Sequence, residues 1–135
     1  MRHLNADSTI QALQKLSSFE EIFSWKKARL FNQKIYLVTE EQIFKKDFDF
    51  ARQLRRASVS ITSNIAEGFE RNTDKEFKHF LYIAKTSAGE VRSQIYLAFD
   101  LNYISQEILD RLLIEITEIL KLLGGFIKYL ENKKK

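Results

Sequence analysis

The sequence predicts an all-α protein built as an up-down-up-down antiparallel bundle of four helices. Its 135 residues contain no proline and only four glycines, so few residues interrupt a helix. Apolar side chains recur every three or four positions from about residue 20 to residue 130, which is the period of an amphipathic helix. The polar stretches between these segments are short, and short connections are typical of antiparallel neighbours in a bundle.

The first two predicted helices cover about residues 20–45 and 48–70. Inside the second, residues 58–63 read S-V-S-I-T-S and alternate like a strand for a few positions. Apolar positions three and four residues apart continue on both sides of this stretch, and no turn residues bound it. We therefore interpret the whole segment as a helix that ends near Gly68 and the polar run after it.

The third and fourth predicted helices cover about residues 74–101 and 105–131. At the start of the third, Thr73 and Glu76 have the spacing of a capping box, in which each side chain bonds a free backbone N–H group. Ser105 is a typical N-cap for the fourth helix. Both helices therefore have a sequence signal for where they begin.

The four helices form one predicted domain over residues 19–132, with no internal repeat and no linker. Residues 1–18 precede it as a partly ordered N-terminal extension, for which a short helix and disorder are both open. Gly124 and Gly125 interrupt the apolar pattern of the fourth helix. They mark either a weak point in that helix or a close approach of two helices.

The composition narrows the class of protein. The absence of cysteine excludes a disulfide framework and a thiolate metal site, and it suits a reducing cytoplasm. The chain does not begin with the apolar run of a signal peptide, and no apolar stretch reaches the roughly 18 residues of a membrane span. We therefore expect a cytoplasmic protein with no membrane partner. The net charge of +4 is too small to identify a partner by itself.

No motif in the sequence requires catalysis. There is no Gly-x-Ser-x-Gly motif and no glycine-rich phosphate loop. Glu76 and His79 have the spacing of half a di-iron site, but such bundles need two Glu-x-x-His motifs and two further glutamates. The only other histidine is His3. We therefore predict a protein that is not an enzyme and has neither a metal nor a cofactor.

Polar residues recur along one edge of the second helix and one edge of the third. They are Ser60, Ser63, Asn64 and Glu67, followed by Ser87 and Glu90. If the two helices pack side by side, these groups can satisfy one another by hydrogen bonds, as buried polar groups must. They form either a polar binding pocket or a network that fixes the register of the helices. We favour the structural network.

Basic residues are the best functional candidates. They lie on the second helix and just after it, and on the first helix: Arg52, Arg55, Arg56 and Arg71, with Lys26, Lys27, Arg29 and Lys34. Arginine forks match phosphate oxygens, and such contacts give salt-dependent and mostly sequence-independent affinity for nucleic acid. The alternative is an ordinary solvated face, with Arg55 or Arg56 acting as an internal counter-ion.

Apolar residues exceed what one buried stripe needs. Ile114 and Leu122 widen the apolar surface of the fourth helix, and Trp25, Phe44 and Phe126 are large aromatic side chains. A single bundle exposing such a surface tends to associate, so we predict a homo-oligomer. The alternative is a thick core.

Three groups of residues also resemble a known family. In the first helix they are Phe19, Trp25, Ala28, Ile35, Tyr36 and Thr39. In the second they are Gln53, Leu54, the R-R-A-x-x-S-I-x-S-N-I-A-E-G run of residues 55–68, and Arg71. In the third they are Lys75, Glu76, Phe77, Phe80, Leu81, Ile83, Ala84, Ser87 and Glu90, followed by residues 101–104.

On these residues the chain resembles the four helix bundle protein family, also called 23S rRNA intervening-sequence proteins, over roughly residues 19–130. The run over residues 55–68 is the most specific part. One departure is Thr62, where the family commonly has a proline, so a kink at that position is in question. Residues 1–18 also lie outside the resemblance.

The resemblance implies a homopentameric barrel of four-helix bundles. Some members are encoded within 23S rRNA genes, and a related protein, the accessory protein of diversity-generating retroelements, binds nucleic acid and a reverse transcriptase. The implied partners are a second copy of the chain, rRNA or another nucleic acid, and a reverse transcriptase or another protein. We therefore predict a non-catalytic oligomeric RNA-binding accessory or scaffold protein. The alternative is a protein-interaction adaptor with no nucleic-acid role.

Overall fold

The computed structural model describes residues 16–133, and that part of the chain contains helices and no strand. The predicted all-α class is therefore confirmed. The prediction for the N-terminal extension lies outside the described residues except at 16–18. No helix within 16–133 is long and apolar enough to cross a membrane.

Five α-helices follow a short 3-10 turn at Phe19–Glu21. They are α1 (Phe23–Thr39), α2 (Gln42–Lys45), α3 (Phe48–Phe69), α4 (Asp74–Asp100) and α5 (Gln106–Asn132). The four longest are joined by short segments and pack as α1 with α3, α3 with α4, α4 with α5, and α1 with α5. Each long helix therefore buries its apolar stripe against two others, and a single core lies between them.

The first helical segment differs from the prediction. The sequence predicts one helix over 20–45, but the structure divides this region into the 3-10 turn, α1 and α2. At the end of α1 the Thr39 hydroxyl donates to the Ile35 carbonyl oxygen at 2.7 Å and accepts from Arg55 Nε at 2.7 Å. Glu41 then takes an extended conformation, with φ −60° and ψ 146°, and precedes α2. A side chain from another helix thus meets the chain where the first helix ends.

This division turns Phe44 into the core. Its ring is fully buried and lies 6.1 Å from Phe50 and 5.2 Å from Tyr103, measured between ring centroids. Phe126 is also buried, against Phe77 at 5.1 Å. The prediction that Phe44 and Phe126 belong to an exposed apolar surface is therefore wrong, because both complete the core of this chain.

Side chains cap the three longest helices at their N-termini. Asp47 accepts from the backbone N–H of Phe50, Thr73 from Glu76, and Ser105 from Ile108. The predicted caps at Thr73 and Ser105 are thus confirmed. The reciprocal half of the capping box differs, since the Thr73 hydroxyl itself donates to Glu76 Oε2 at 3.4 Å. Each cap satisfies a backbone donor that the helix leaves free.

Gly68 is buried where the end of α3 meets the start of α4. A Cβ atom on this residue would lie 2.8 Å from Phe80 Cβ, 2.9 Å from the Phe77 ring and 3.1 Å from the Phe77 carbonyl oxygen. Only a residue without a side chain permits this approach. Gly68 lies inside α3 rather than after it, so its role is close packing and not helix termination.

Gly124 and Gly125 behave differently. At Gly124 a Cβ would meet only Lys85 Nζ, at 3.9 Å, and at Gly125 it would meet nothing within 4 Å. Both lie inside the continuous helix α5. Within the described chain, no close helix approach accounts for this pair.

Candidate nucleic-acid interface

The predicted basic residues separate into groups on different sides of the molecule. Arg52, Arg55 and Arg56 line one groove, which lies along the outer side of α3 and is bordered by the end of α1 and by α2. Lys27 and Lys34 instead face α5 from α1. The sequence does not separate these eight residues, whereas the structure places only three of them in the groove. The groove is therefore the candidate site.

The groove is a cavity of about 760 Å³. Four cationic side chains line it, Lys45, Arg52, Arg55 and Arg56, together with one carboxylate, Glu40. Its lining therefore carries a net charge of +3. Lys45 was not predicted for the site, because its contribution depends on the division between α1 and α2.

Arg55 is held in place by its neighbours. Besides its bond to Thr39, its Nη2 donates to Glu40 Oε1 at 3.0 Å and to the Tyr36 carbonyl oxygen at 3.4 Å. Its guanidinium lies over the Tyr36 ring at 4.4 Å from the centroid. Arg55 thus joins α3 to the end of α1, which matches the counter-ion alternative for this residue.

Arg52 and Arg56 are exposed and line the same wall of the groove as Arg55. No carboxylate within residues 16–133 forms an ion pair with either one. The Arg52 guanidinium lies 5.8 Å from the centroid of the Phe48 ring, one helical turn earlier. These two guanidinium groups, like the exposed Lys45 ammonium, therefore have no ion pair within the described residues.

The basic residues of α1 lie elsewhere. Lys27 pairs with Glu118 at 3.1 Å and Lys34 pairs with Glu115, so both join α1 to α5. Lys26 is exposed. Arg29 is exposed as well and lies over the Trp25 ring at 5.7 Å. None of the four is part of the groove lining.

Arg71 follows α3 and is also separate from the groove. It pairs with Glu67 at 3.4 Å and lies over the Phe80 ring at 4.6 Å from the centroid. Both partners lie near Gly68, where the end of α3 packs against the start of α4. Arg71 therefore contributes to the contact between these two helices.

The predicted polar network joins three of its six residues. Ser60 Oγ and Ser87 Oγ are 2.8 Å apart across α3 and α4, and Asn64 Nδ2 donates to the Ser60 carbonyl oxygen at 2.8 Å and to Ser60 Oγ at 3.0 Å. The other three lie apart. Ser63 is exposed and lines the groove, Glu67 pairs with Arg71, and Glu90 is exposed.

A second polar cluster, between α1 and α3, was missed by the sequence analysis. The fully buried Ser58 donates to Asn32 Oδ1 at 2.6 Å, and Asn32 Nδ2 donates to Thr62 Oγ1 at 3.1 Å. The sequence signal for this cluster was the amide side chain of Asn32 within the apolar pattern of α1. Thr62 thus uses its hydroxyl to accept a hydrogen bond from α1.

Two side chains outside the groove have shifted pKa values. Hydrogen bonds from the Ser17 hydroxyl and backbone N–H, with a smaller effect of the Lys26 charge, lower the pKa of Glu21. The hydrogen bond from Tyr103 to Asp47 raises the pKa of the Tyr103 phenol. Both groups stabilise connections between segments, and neither lines the groove.

Metal ligands do not cluster in residues 16–133: no group of three or more His, Asp or Glu side chains is placed to hold an ion. Glu76 serves the cap of α4, and the His79 ring packs edge-on against Phe80 at 5.5 Å. His3 lies outside the described residues. The arrangement that the structure does provide is therefore a cationic groove with aromatic walls.

Comparison with known proteins identifies the family. The family model described as the 23S rRNA-intervening sequence protein matches residues 20–125. A protein of unknown function from the S23 ribosomal protein family of Bacteroides thetaiotaomicron has a similar solved structure. It is 29% identical, with a TM-score of 0.73, and the match covers 78% of this chain and 95% of that one. No curated protein matches the chain. The chain belongs to the 23S rRNA-intervening sequence protein family.

Proposed function

We propose that this protein is a non-catalytic RNA-binding accessory or scaffold protein of the cytoplasm, which contacts phosphates through the groove on α3. The observation that carries the proposal is the groove itself, with a lining charge of +3 and two exposed arginines that have no carboxylate partner in residues 16–133. The family link to 23S rRNA genes favours RNA over DNA.

The chemistry of Arg52 and Arg56 suits this role. Each guanidinium presents a planar set of donors that can bind two phosphate oxygens at once. Their spacing of four residues places both on one side of α3, about 6 Å apart along the helix. Such a pair can hold neighbouring phosphates without reading bases, which gives affinity that falls as salt rises.

The other predicted basic residues contribute less to the proposed interface. Lys27, Lys34 and Arg71 already pair with glutamates, and releasing them would leave those carboxylates facing the phosphates. Lys26 and Arg29 remain free to add general attraction. The proposed site therefore consists of Arg52, Arg56 and Lys45, with Arg55 shaping the wall.

We further infer the antiparallel up-down topology and an oligomeric assembly. The approach of Gly68, near the end of α3, to Phe77, near the start of α4, and the ion pair between Asp74 and Lys133 support antiparallel neighbours. Leu37 is 71% exposed and Ile114 is 69% exposed, which supports contact with further copies. The pentameric barrel comes from the family resemblance. In such a ring the groove would occur once in every copy.

A protein-interaction adaptor without a nucleic-acid role is the second candidate. The same exposed apolar residues, Leu37 and Ile114, favour it, because a partner protein could cover them. The two candidates differ in what the groove does. Only the first requires Arg52 and Arg56 for binding.

The decisive experiment measures binding of a short fluorescent RNA at two salt concentrations. We expect wild-type binding that weakens steeply with salt, and at least about tenfold weaker binding for Arg52→Ala/Arg56→Ala, because hydrogen bonds to charged groups contribute about 1.5–3 kcal/mol each. The slope of log affinity against log salt should also fall by about 1.4, since two phosphate contacts are lost from a single strand.

The matched control is Lys27→Ala/Lys34→Ala. This double variant also removes two positive charges, but both lie where α1 faces α5. The ion pairs there are partly exposed and contribute little to stability. Equal losses for the two double variants would show general charge attraction and no defined site. No wild-type binding even at low salt would contradict the proposal and favour the adaptor.

A further inference from the structure

We infer that the groove accepts single-stranded RNA with an unpaired base stacked on Phe48. This inference rests on the proposed function and names the form of nucleic acid that the site takes. The inference rests on the side chain of Phe48, which does not pack in the core, and on the cationic side chains that line the groove with it.

Phe48 is the first residue of α3, and its side chain is 66% exposed. The neighbouring aromatic residues Phe44 and Phe50 are both buried in the core. Asp47, directly before it, caps the helix through Phe50 N–H and accepts from Tyr103, so the backbone that carries Phe48 is held on two sides. The ring is therefore an apolar surface that faces solvent from an anchored backbone at the edge of a cationic groove.

The Arg52 guanidinium supplements this ring. Its centre lies 5.8 Å from the Phe48 centroid, and the two residues are four positions apart on α3. Nucleic-acid bases stack on aromatic rings and on guanidinium planes, and phosphates accept hydrogen bonds from the same guanidinium. A base on Phe48 would thus place its own phosphate within reach of Arg52 and Arg56.

Tyr36 is a weaker candidate for stacking. It is 43% exposed, but the Arg55 guanidinium covers its ring at 4.4 Å and is fixed there by Thr39 and Glu40. Tyr36 is therefore less available than Phe48, over which Arg52 lies farther away, at 5.8 Å, and without an ion pair in residues 16–133 to hold it. Phe48 remains as the aromatic platform of the groove.

The geometry favours a single strand over a duplex. Bases inside a duplex are stacked on each other, so only an unpaired base can offer its face to Phe48. The groove volume of about 760 Å³ is in the range of pockets that hold small molecules, which gives room for roughly one or two nucleotides. Exposed Ser63 on the same wall adds a hydroxyl that can bond a base edge or a 2′-hydroxyl.

The test compares Phe48→Ala with wild type by fluorescence anisotropy, using one short RNA free and the same RNA annealed to its complement. We expect at least about fivefold weaker binding of the single strand, because base stacking on an aromatic side chain is lost. Duplex binding and the salt slope should stay unchanged, because no phosphate contact is removed. Phe48→Leu, which keeps apolar bulk without a ring face, should lose most of the same affinity.

Phe23→Ala is the matched control. Phe23 is 45% exposed on α1, and Lys27 lies over its ring at 5.7 Å, also four positions later. The pair therefore has the same aromatic residue and the same spacing, with a lysine in place of the arginine, and lies outside the groove lining. Its loss should leave single-strand affinity within twofold of wild type. Circular dichroism checks that each variant keeps its helix content, and Phe48→Leu replaces Phe48→Ala should the latter not fold.

The outcomes separate this inference from the proposed function. Salt-dependent binding in which Phe48→Ala and Phe23→Ala behave alike would overturn stacking and leave phosphate binding in place. A lower oligomeric mass for Phe48→Ala with unchanged RNA binding would assign the groove to contacts between copies, which also overturns it. A wild-type protein that binds neither RNA form at low salt would end both proposals.

Discussion

The two halves of α3 show how differently one helix can use its surface. In the first half, Phe48 and two arginines face solvent along the groove. In the second half, Gly68 approaches α4 so closely that a single added carbon would lie 2.8 Å from Phe80 Cβ. The buried stripe is continuous through both halves, from Leu54 to Ile65. Packing therefore explains the inner face along the whole helix, but it assigns no role to Phe48, Arg52 and Arg56 on the outer face.

This contrast is what makes the groove a candidate site. A large apolar ring in water contributes little to stability, and an exposed cluster of like charges opposes compactness. Arg55 is an exception because it joins α3 to α1 through Thr39 and Glu40. Arg52 and Arg56 make no such connection within the described chain. Contacts within the described chain therefore do not tie either arginine to another helix.

The strongest test of the contrast replaces Gly68 with alanine. The new methyl group would overlap Phe77 and Phe80, and one of its contacts is the Phe77 backbone, which cannot rotate away. We expect Gly68→Ala to lower the free energy of unfolding by about 2 kcal/mol or more, as overpacking does. Urea denaturation followed by circular dichroism measures the change.

Gly125→Ala is the control for that substitution. It makes the same change in a helix, but nothing lies within 4 Å of the added carbon. Alanine there should raise the free energy of unfolding by about 0.5–1 kcal/mol, because glycine loses more conformational freedom on folding. A Gly68→Ala protein as stable as Gly125→Ala would show that α3 and α4 do not approach as described.

The sequence predicts α3, α4 and α5 well because each has a long apolar period and a capping side chain of its own. It does not predict the division of the first segment, because apolar residues continue at helical spacing through the break. The break involves contacts between Thr39 and Arg55, which are sixteen positions apart. Local periodicity contains no information about such a pair.

The candidate site was only partly predictable for the same reason. The sequence predicts a basic cluster from the adjacent residues Arg55 and Arg56 and from Arg52, which lies one helical turn earlier. Which arginine is bonded and which is free depends on the end of α1, as does the contribution of Lys45. Phe48 is not singled out in the sequence, because only the structure shows that its side chain is 66% exposed.

A smaller effect is expected where α3 is joined to α1 by buried polar groups. Ser58→Ala removes the donor to Asn32 Oδ1 at a fully buried position. We expect a loss of about 1–2 kcal/mol in the free energy of unfolding, since an acceptor is left without its partner. Urea denaturation gives the value.

Ser63→Ala is the matched change on the outer face of the same helix. Its side chain is exposed in the groove, so stability should stay within about 0.5 kcal/mol of wild type. Similar losses for Ser58→Ala and Ser63→Ala would contradict the assignment of a structural inner face and a free outer face.

The smallest expected effect concerns the hydrogen bond that holds the start of α3. The Tyr103 hydroxyl donates to Asp47 Oδ2 at 2.9 Å, and this bond raises the pKa of the phenol above its ordinary value near 10. Because the folded state favours the protonated phenol, the stabilisation is fully present below about pH 10 and is lost as pH rises through the raised pKa. Tyr103→Phe should therefore melt below wild type at pH 7, by less than Ser58→Ala, and the difference should shrink at alkaline pH. Thermal melts of both proteins across that range measure it, and a difference that stays constant or grows with pH would show that this bond does not anchor the groove end of α3.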